Sequence, residues 1–148
     1  MGVYVYCIRE DYPYKSSITG RRFENEWFRL EPDGMITVKG TNKRGYSWDG
    51  CSPKWKMGDM YFGAPEAVLN NTIPKSRTYH ASLIHDLFYQ FSKDVLHLVK
   101  RREIDKEFYN ILKRDGFKMA LLYFWGVRSF GWLWWGKPKF LNTLLGRP

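Results

Sequence analysis

The stretch YHASLIHDLFYQF at residues 79–91 decides the fold of this chain. Its apolar residues recur every three or four positions, which is the spacing of one face of an α-helix. They are Tyr79, Leu83, Ile84, Leu87, Phe88 and Phe91. Ser76 is the expected N-cap, because a serine hydroxyl can accept a hydrogen bond from a backbone amide that lacks a partner at a helix start. We therefore predict a buried helix that begins after Ser76.

Two further helices are predicted downstream. The second carries the apolar stripe Ile104, Phe108, Ile111 and Leu112 and should end at Gly116, where a left-handed residue is expected. The third carries Met119, Leu122, Tyr123, Gly126, Val127 and Phe130 and should end at Gly131. Its apolar run is closed by Lys118 and Arg128, far short of the roughly 20 residues that cross a bilayer. This run is predicted to be a core helix.

The residues before these helices predict β-structure. Positions 3–8 alternate with period two, and Glu26–Leu30 and Met35–Lys39 flank the turn Glu31-Pro32-Asp33-Gly34, which is typical of a tight hairpin. Residues 51–75 show no sustained period and are expected to be a long loop. The prediction is one α+β domain over 1–148, with a β-rich antiparallel hairpin region at 1–50, a helical core at 76–131 and a Trp-rich basic tail at 132–148.

Composition limits the function classes. The chain has 148 residues, a formal charge of +9 and 18% aromatic residues, which indicate an anionic and partly apolar partner such as lipid headgroups, nucleic acid or an acidic protein surface. Two cysteines are too few for a disulfide scaffold, and the N-terminus shows no signal-peptide pattern. These features favour a protein that folds in a reducing cytoplasm.

Four residues form the candidate site. His85 and Asp86 are adjacent on the first helix, Tyr89 lies one turn beyond His85, and Asp105 lies beside the apolar stripe of the second helix. If the two helices pack antiparallel, Asp105 can meet His85. A carboxylate that fixes the tautomer of a histidine and stabilises its imidazolium form is an arrangement suited to acid-base catalysis.

Asp86 would then remain available for a cation. A second carboxylate from a loop, such as Asp49, would complete a pair of the oxygen ligands that Ca²⁺ prefers. Such an ion could polarise an ester carbonyl. The sequence therefore raises calcium as a possible cofactor.

The order of four motifs resembles prokaryotic phospholipase A2. The motifs are WDGCSP at 48–53, SLIHDLFY at 82–89, RREIDKEFYNIL at 101–112 and ALLYFWGVRSFG at 120–131. Over nearly its whole length the chain also resembles, more closely, a family of proteins without assigned function that is common in tailed-bacteriophage genomes. That family shares the D-x-x-S-x-P loop, the HD-x-x-Y helix and the R-x-x-D-x-x-F helix.

The resemblance to the enzyme implies a three-helix phospholipase A2-like core and specific roles. His85 would be the base that activates water and Asp105 its orienting partner. Asp86 and Asp49 would be calcium ligands, with Gly50 beside the backbone oxygens that complete the site. Ser82 departs from the pattern of the secreted enzymes, which have a cysteine before the HD pair.

Several alternatives remain open at this point. A buried histidine satisfied by a nearby carboxylate is an ordinary structural pair, so the chain could be a non-catalytic virion or assembly protein made in the host bacterial cytoplasm. The tail residues Trp132, Trp134 and Trp135 could anchor at a phospholipid bilayer or contact other phage structural proteins. Nucleic-acid binding through basic and aromatic groups is the third and weakest option.

Overall fold

Short antiparallel strands form the first half of the chain and helices form the second. The computed structural model describes residues 6–41, 45–48, 55–57, 60–62, 67–70 and 73–130. The strands are β1 (Tyr6–Ile8), β2 (Tyr12–Lys15), β3 (Phe23–Glu24), β4 (Phe28–Leu30), β5 (Met35–Val38), β6 (Tyr46–Trp48), β7 (Trp55–Met57), β8 (Met60–Phe62), β9 (Ala67–Asn70) and β10 (Ile73–Ser76). The helices are α1 (Tyr79–Gln90), α2 (Ser92–Val95), α3 (Arg101–Arg114) and α4 (Ala120–Phe130). The predicted α+β class is confirmed.

The largest sheet is four-stranded, in the order β2-β5-β4-β3, with antiparallel pairing throughout. Its centre is the predicted hairpin, in which Phe28 pairs with Val38 and Leu30 with Ile36. Gly34 closes the turn with φ of 87°, and a Cβ atom there would lie 2.6 Å from the Ser16 carbonyl oxygen. Glycine is therefore required at this position.

Aromatic residues hold α1 against the strands. Phe28 of β4 meets Phe88 of α1 edge to face, with ring centroids 5.2 Å apart. Trp48 of β6 packs on Tyr79 at 5.0 Å, and its indole N–H donates to the Ser82 hydroxyl at 3.0 Å. Because all of these rings are buried, α1 forms the centre of the apolar core.

Helices α1 and α3 run antiparallel, as the sequence interpretation required. The start of α1 lies beside the end of α3, because His80 pairs with Asp115. The end of α1 lies beside the first half of α3, because Tyr89 pairs with Asp105. Helix α3 ends at Arg114, and the predicted left-handed residue follows it at Gly116, with φ of 72°. The Phe117 amide donates to the Leu112 carbonyl at 2.9 Å, which is the long hydrogen bond of a Schellman motif.

Two sequence expectations about the helix boundaries and the loop were wrong. The segment expected to be a loop contains β7 to β10, which pair as two local hairpins. These strands have three or four residues each, too few for an alternation to be recognised. Ser76 ends β10, so the N-cap of α1 is Thr78. The short helix α2 was not predicted.

The expectation that α4 is a core helix was only partly right, because Ala120, Tyr123 and Val127 pack against the core while other apolar residues of the helix are exposed. Leu122 is 53% exposed, and Leu121 and Trp125 are still more exposed, whereas Ala120 is buried. The helix carries apolar residues around its whole circumference, so its sequence could not show which side faces the core. Across the described part of the chain, no helix combines the length and apolar character needed to cross a membrane.

Candidate functional site

The buried carboxylate of Asp105 is the centre of the site. Asp105 lies on α3 and is fully buried. Groups from three helices converge on it: His85 and Tyr89 from α1, Arg101 from α3 itself and Arg128 from α4. We refer to these five residues as the Asp105 cluster.

Each oxygen of Asp105 has two neighbours in the cluster. The Tyr89 hydroxyl donates to Oδ1 at 2.7 Å, and Nε2 of His85 lies 3.3 Å from the same oxygen. Nη1 of Arg128 donates to Oδ2 at 3.0 Å, and Nε of Arg101 lies 3.6 Å from it. The predicted meeting of His85 and Asp105 is therefore present in the structure.

Two aromatic rings contact the His85 imidazole. It stacks on Tyr89 with centroids 4.1 Å apart and packs against Phe108 at 4.9 Å. Nδ1, the nitrogen that does not meet Asp105, lies 3.7 Å from Oδ1 of Asp86. Only 7% of His85 is exposed, so access to the ring is narrow.

Burial and nearby charges have opposite effects on the pKa values of His85 and Asp105. Burial alone would lower the pKa of His85, but Asp105 and Asp86 favour the imidazolium and raise it above its ordinary value. Burial alone would raise the pKa of Asp105, but hydrogen bonds from His85, Tyr89 and Arg128 outweigh burial and lower it. Burial also raises the pKa of Tyr89, which remains a hydroxyl donor.

Local sequence explains how α1 presents these groups. His85 and Tyr89 are four residues apart on one helix, so their side chains lie one above the other. Ser82 is one turn before His85 and accepts the Trp48 indole N–H. Ser82 thus fixes β6 beside the site, and Asp49 is the next residue in the chain after β6.

Of the predicted calcium ligands, the structure describes Asp86. Asp86 lies beside His85 with a side chain that is 15% exposed. Asp49 and Gly50 lie outside the described residues, as do Trp132, Trp134 and Trp135. Within the described ranges there is no group of three or more His, Cys, Asp or Glu side chains placed to hold a metal ion. Calcium therefore stays a prediction.

The sequence interpretation missed both arginines of the cluster. Arg101 and Asp105 have the i,i+4 spacing of a helical ion pair, a signal that was available. Arg128 lies in the segment ALLYFWGVRSFG at 120–131, but nothing in the sequence assigned it a partner. Nη1 of Arg101 is buried and makes no hydrogen bond within the described structure.

Glu107, a second buried carboxylate on α3, was also missed. It accepts hydrogen bonds from the Tyr14 hydroxyl at 2.8 Å and from the Ser17 amide at 2.9 Å, and it also contacts the Ser17 hydroxyl. These partners lie in or next to β2. Glu107 therefore ties α3 to the sheet and takes no part in the Asp105 cluster.

A polar cavity of about 380 Å³ lies apart from the cluster, on the outer side of the sheet. It is lined by Asp11, Arg29, Thr37, Lys39 and Thr41. Its charged groups already have partners, since Lys39 pairs with Glu24 and Arg29 with Glu31. Asp11 accepts hydrogen bonds from the amide and the hydroxyl of Thr41, so each charged group that lines this cavity already has a partner within the protein.

Comparisons of the chain with protein-family models, with curated proteins and with solved structures found no match.

Proposed function

We propose that this protein is a phospholipase A2-like hydrolase that cleaves a lipid ester, with His85 as general base and Asp105 as its orienting partner. The observation that supports the proposal is the placement of the two His85 nitrogens. Nε2 lies 3.3 Å from the Asp105 carboxylate, while Nδ1 lies 3.7 Å from Oδ1 of Asp86.

The proposed reaction uses Nδ1 as the proton acceptor. Asp105 accepts the Nε2 proton in a hydrogen bond and so leaves the lone pair on Nδ1. His85 takes a proton from water, whose oxygen attacks the ester carbonyl carbon. The ester C–O bond then breaks, the alcohol leaves with the proton from His85, and a fatty acid and a lysolipid are released.

The remaining members of the cluster keep Asp105 in the charged form that this role needs. Tyr89 and Arg128 both donate to it, and its pKa is lowered. The Tyr89 ring also stacks on the imidazole and restricts its orientation. Tyr89 is therefore a positioning residue in this proposal.

In this proposal, Asp49, Gly50 and Asp86 would hold a calcium ion. When bound, the ion would polarise the ester carbonyl. Among these ligands, only Asp86 lies within the described residues. The proton transfers proposed for His85 do not depend on the ion.

The test is release of fatty acid from phosphatidylcholine vesicles in the presence and absence of added calcium. Wild-type protein should release fatty acid, and His85→Gln should lower kcat/KM by about 100- to 10,000-fold, the usual contribution of a general base. Asp115→Asn is the matched control, because Asp115 also pairs with a histidine between α1 and α3, at 3.5 Å from His80. Absence of hydrolysis by the wild type, or equal rates for His85→Gln and the wild type, would refute the proposal.

A second candidate is a non-catalytic virion or assembly protein of a bacteriophage. The observation that favours it is the saturation of Asp105: two arginines, a tyrosine and a histidine surround one carboxylate that has no exposed surface. Such a network is sufficient to join three helices without any catalytic role. Mass spectrometry of purified phage particles tests this candidate, since a virion protein must be present in stoichiometric amounts.

A further inference from the structure

We propose that the outer surface of α3 and α4 binds anionic lipid bilayers. The surface consists of Arg102, Lys106, Tyr109 and Lys113 on α3, together with Leu121, Leu122 and Trp125 on α4, and we call it the α3–α4 surface. The proposal does not require the hydrolase activity, because vesicle binding is measured without turnover.

The α4 half of this surface is apolar. Leu121 is 57% exposed, Leu122 is 53% exposed and Trp125 is 60% exposed. They lie on the side of the helix away from Ala120, which packs into the core. Three large apolar side chains together on one exposed helix face indicate a surface that is covered by something else when the protein functions.

The α3 half is basic. Arg102, Lys106 and Lys113 are exposed on one stripe of the helix, together with the half-buried Tyr109. The acidic residues of α3 do not neutralise this stripe. Glu103 pairs with Arg21, while Asp105 and Glu107 are buried with the partners described above.

Ring contacts join the two halves into one surface. Nζ of Lys113 lies 5.7 Å from the centre of the Tyr109 ring, and Tyr109 packs on Phe124 of α4 at 5.4 Å. Phe124 in turn contacts Trp125 at 5.8 Å. The rings of Tyr109 and Phe124 therefore connect the basic stripe of α3 to the exposed Trp125 of α4.

An anionic bilayer fits this arrangement better than nucleic acid does. Lysine and arginine attract anionic headgroups, and tryptophan is favourable at the level of the headgroups. Leu121 and Leu122 gain free energy when they enter the acyl region. Aliphatic side chains offer no ring on which bases could stack, so the leucines would contribute little to binding of a single strand.

The experiment is co-sedimentation of the full chain with vesicles, either of phosphatidylcholine alone or of phosphatidylcholine mixed with phosphatidylserine. Wild-type protein should bind the mixed vesicles more tightly and lose affinity as salt is added. Replacing both Lys106 and Lys113 by Gln should weaken this binding about thirtyfold, since each basic residue near an anionic surface contributes roughly a factor of five. Trp125→Ser with Leu122→Ser should weaken binding to both kinds of vesicle.

Matched controls come from α2 and the residue that follows it. Leu96 is 49% exposed and Lys93 is also exposed, and both lie outside the α3–α4 surface. Leu96→Ser and Lys93→Gln should bind vesicles like the wild type. His85→Gln should do so as well, even if it no longer hydrolyses ester, which separates this proposal from the hydrolase.

Three results would overturn the proposal. Vesicle binding that survives the substitutions would place the lipid contact elsewhere, for example in residues 131–148. Tighter binding to single-stranded DNA than to mixed vesicles, unaffected by Leu122→Ser, would identify a nucleic-acid surface. A dimer in sedimentation velocity that Trp125→Ser converts to monomer would identify the partner as a second copy of this chain.

Discussion

His85 and Asp105 are twenty residues apart in the sequence and lie on different helices, yet Nε2 of the imidazole is 3.3 Å from Oδ1 of the carboxylate. The antiparallel packing of α1 and α3 brings them together, and Tyr89 and Arg128 hold the carboxylate in place. Each of the two groups shifts the pKa of the other in the direction that favours its charged form.

Asp105→Asn should lower the pKa of His85, because the substitution removes the carboxylate that favours the imidazolium. The pKa is measured by NMR titration of the histidine ring signals. Asp115→Asn, which alters the neighbouring His80 pair, is the control and should leave the His85 titration unchanged. An identical His85 titration in wild type and Asp105→Asn would contradict the described geometry.

His85 should also make stability depend on pH. Its pKa in the folded protein is raised above the unfolded value, so its stabilisation is fully present below about pH 6.5 and is lost as pH rises through the folded pKa. The difference in free energy of unfolding between wild type and His85→Gln should therefore shrink with rising pH. Urea denaturation at several pH values measures it. A difference that grows with pH would show that the pKa is lowered instead.

Tyr14→Phe should destabilise the protein by about 1.5–3 kcal/mol, the usual contribution of a hydrogen bond to a charged group. The substitution removes the donor to buried Glu107 and keeps the ring. Tyr109→Phe is the control, because the contacts of Tyr109 are made by its ring, and it should change stability by less than about 0.5 kcal/mol. Equal effects in urea denaturation would show that Glu107 does not anchor the sheet.

Gly126→Ala should stabilise the protein by about 0.5–1 kcal/mol, because alanine restricts the unfolded chain and favours a helix interior. Apart from its chain neighbours and the backbone of its own helix, a Cβ atom at this position in α4 meets no atom of the described structure within 4 Å. Thermal unfolding of the two proteins measures the effect. Destabilisation would mean that Gly126 packs closely against a neighbouring element.

The sequence predicted the parts of the fold that depend on local patterns. The period of residues 79–91, the hairpin turn closed by Gly34 and the helix end at Gly116 each have a local physical cause, and all three are present. Helix boundaries and short strands were predicted less well. Ser76 looked like an N-cap, but pairing with Ala67 places it in β10.

The sequence predicted the part of the site that depends on the spacing of residues within one helix. The spacing of His85 and Tyr89 places them on one side of α1, whereas the meeting of His85 with Asp105 was conditional on the antiparallel packing of α1 and α3 that the structure shows. Arg128 and Glu107 were missed, because their partners depend on tertiary packing that no local pattern reveals. The exposure of α4 was missed for a related reason, since the sequence of a helix with apolar residues on every side does not show which side faces the core.

The most direct test of the central claim is the pH dependence of kcat/KM for ester hydrolysis, measured alongside the NMR titration of His85. The account predicts that the rate rises with pH through a pKa above 6.5 that equals the titrated value, and that Asp105→Asn lowers both together. A rate that follows no pKa of His85, or that is unaffected when Asp105→Asn changes the titration, would contradict the account.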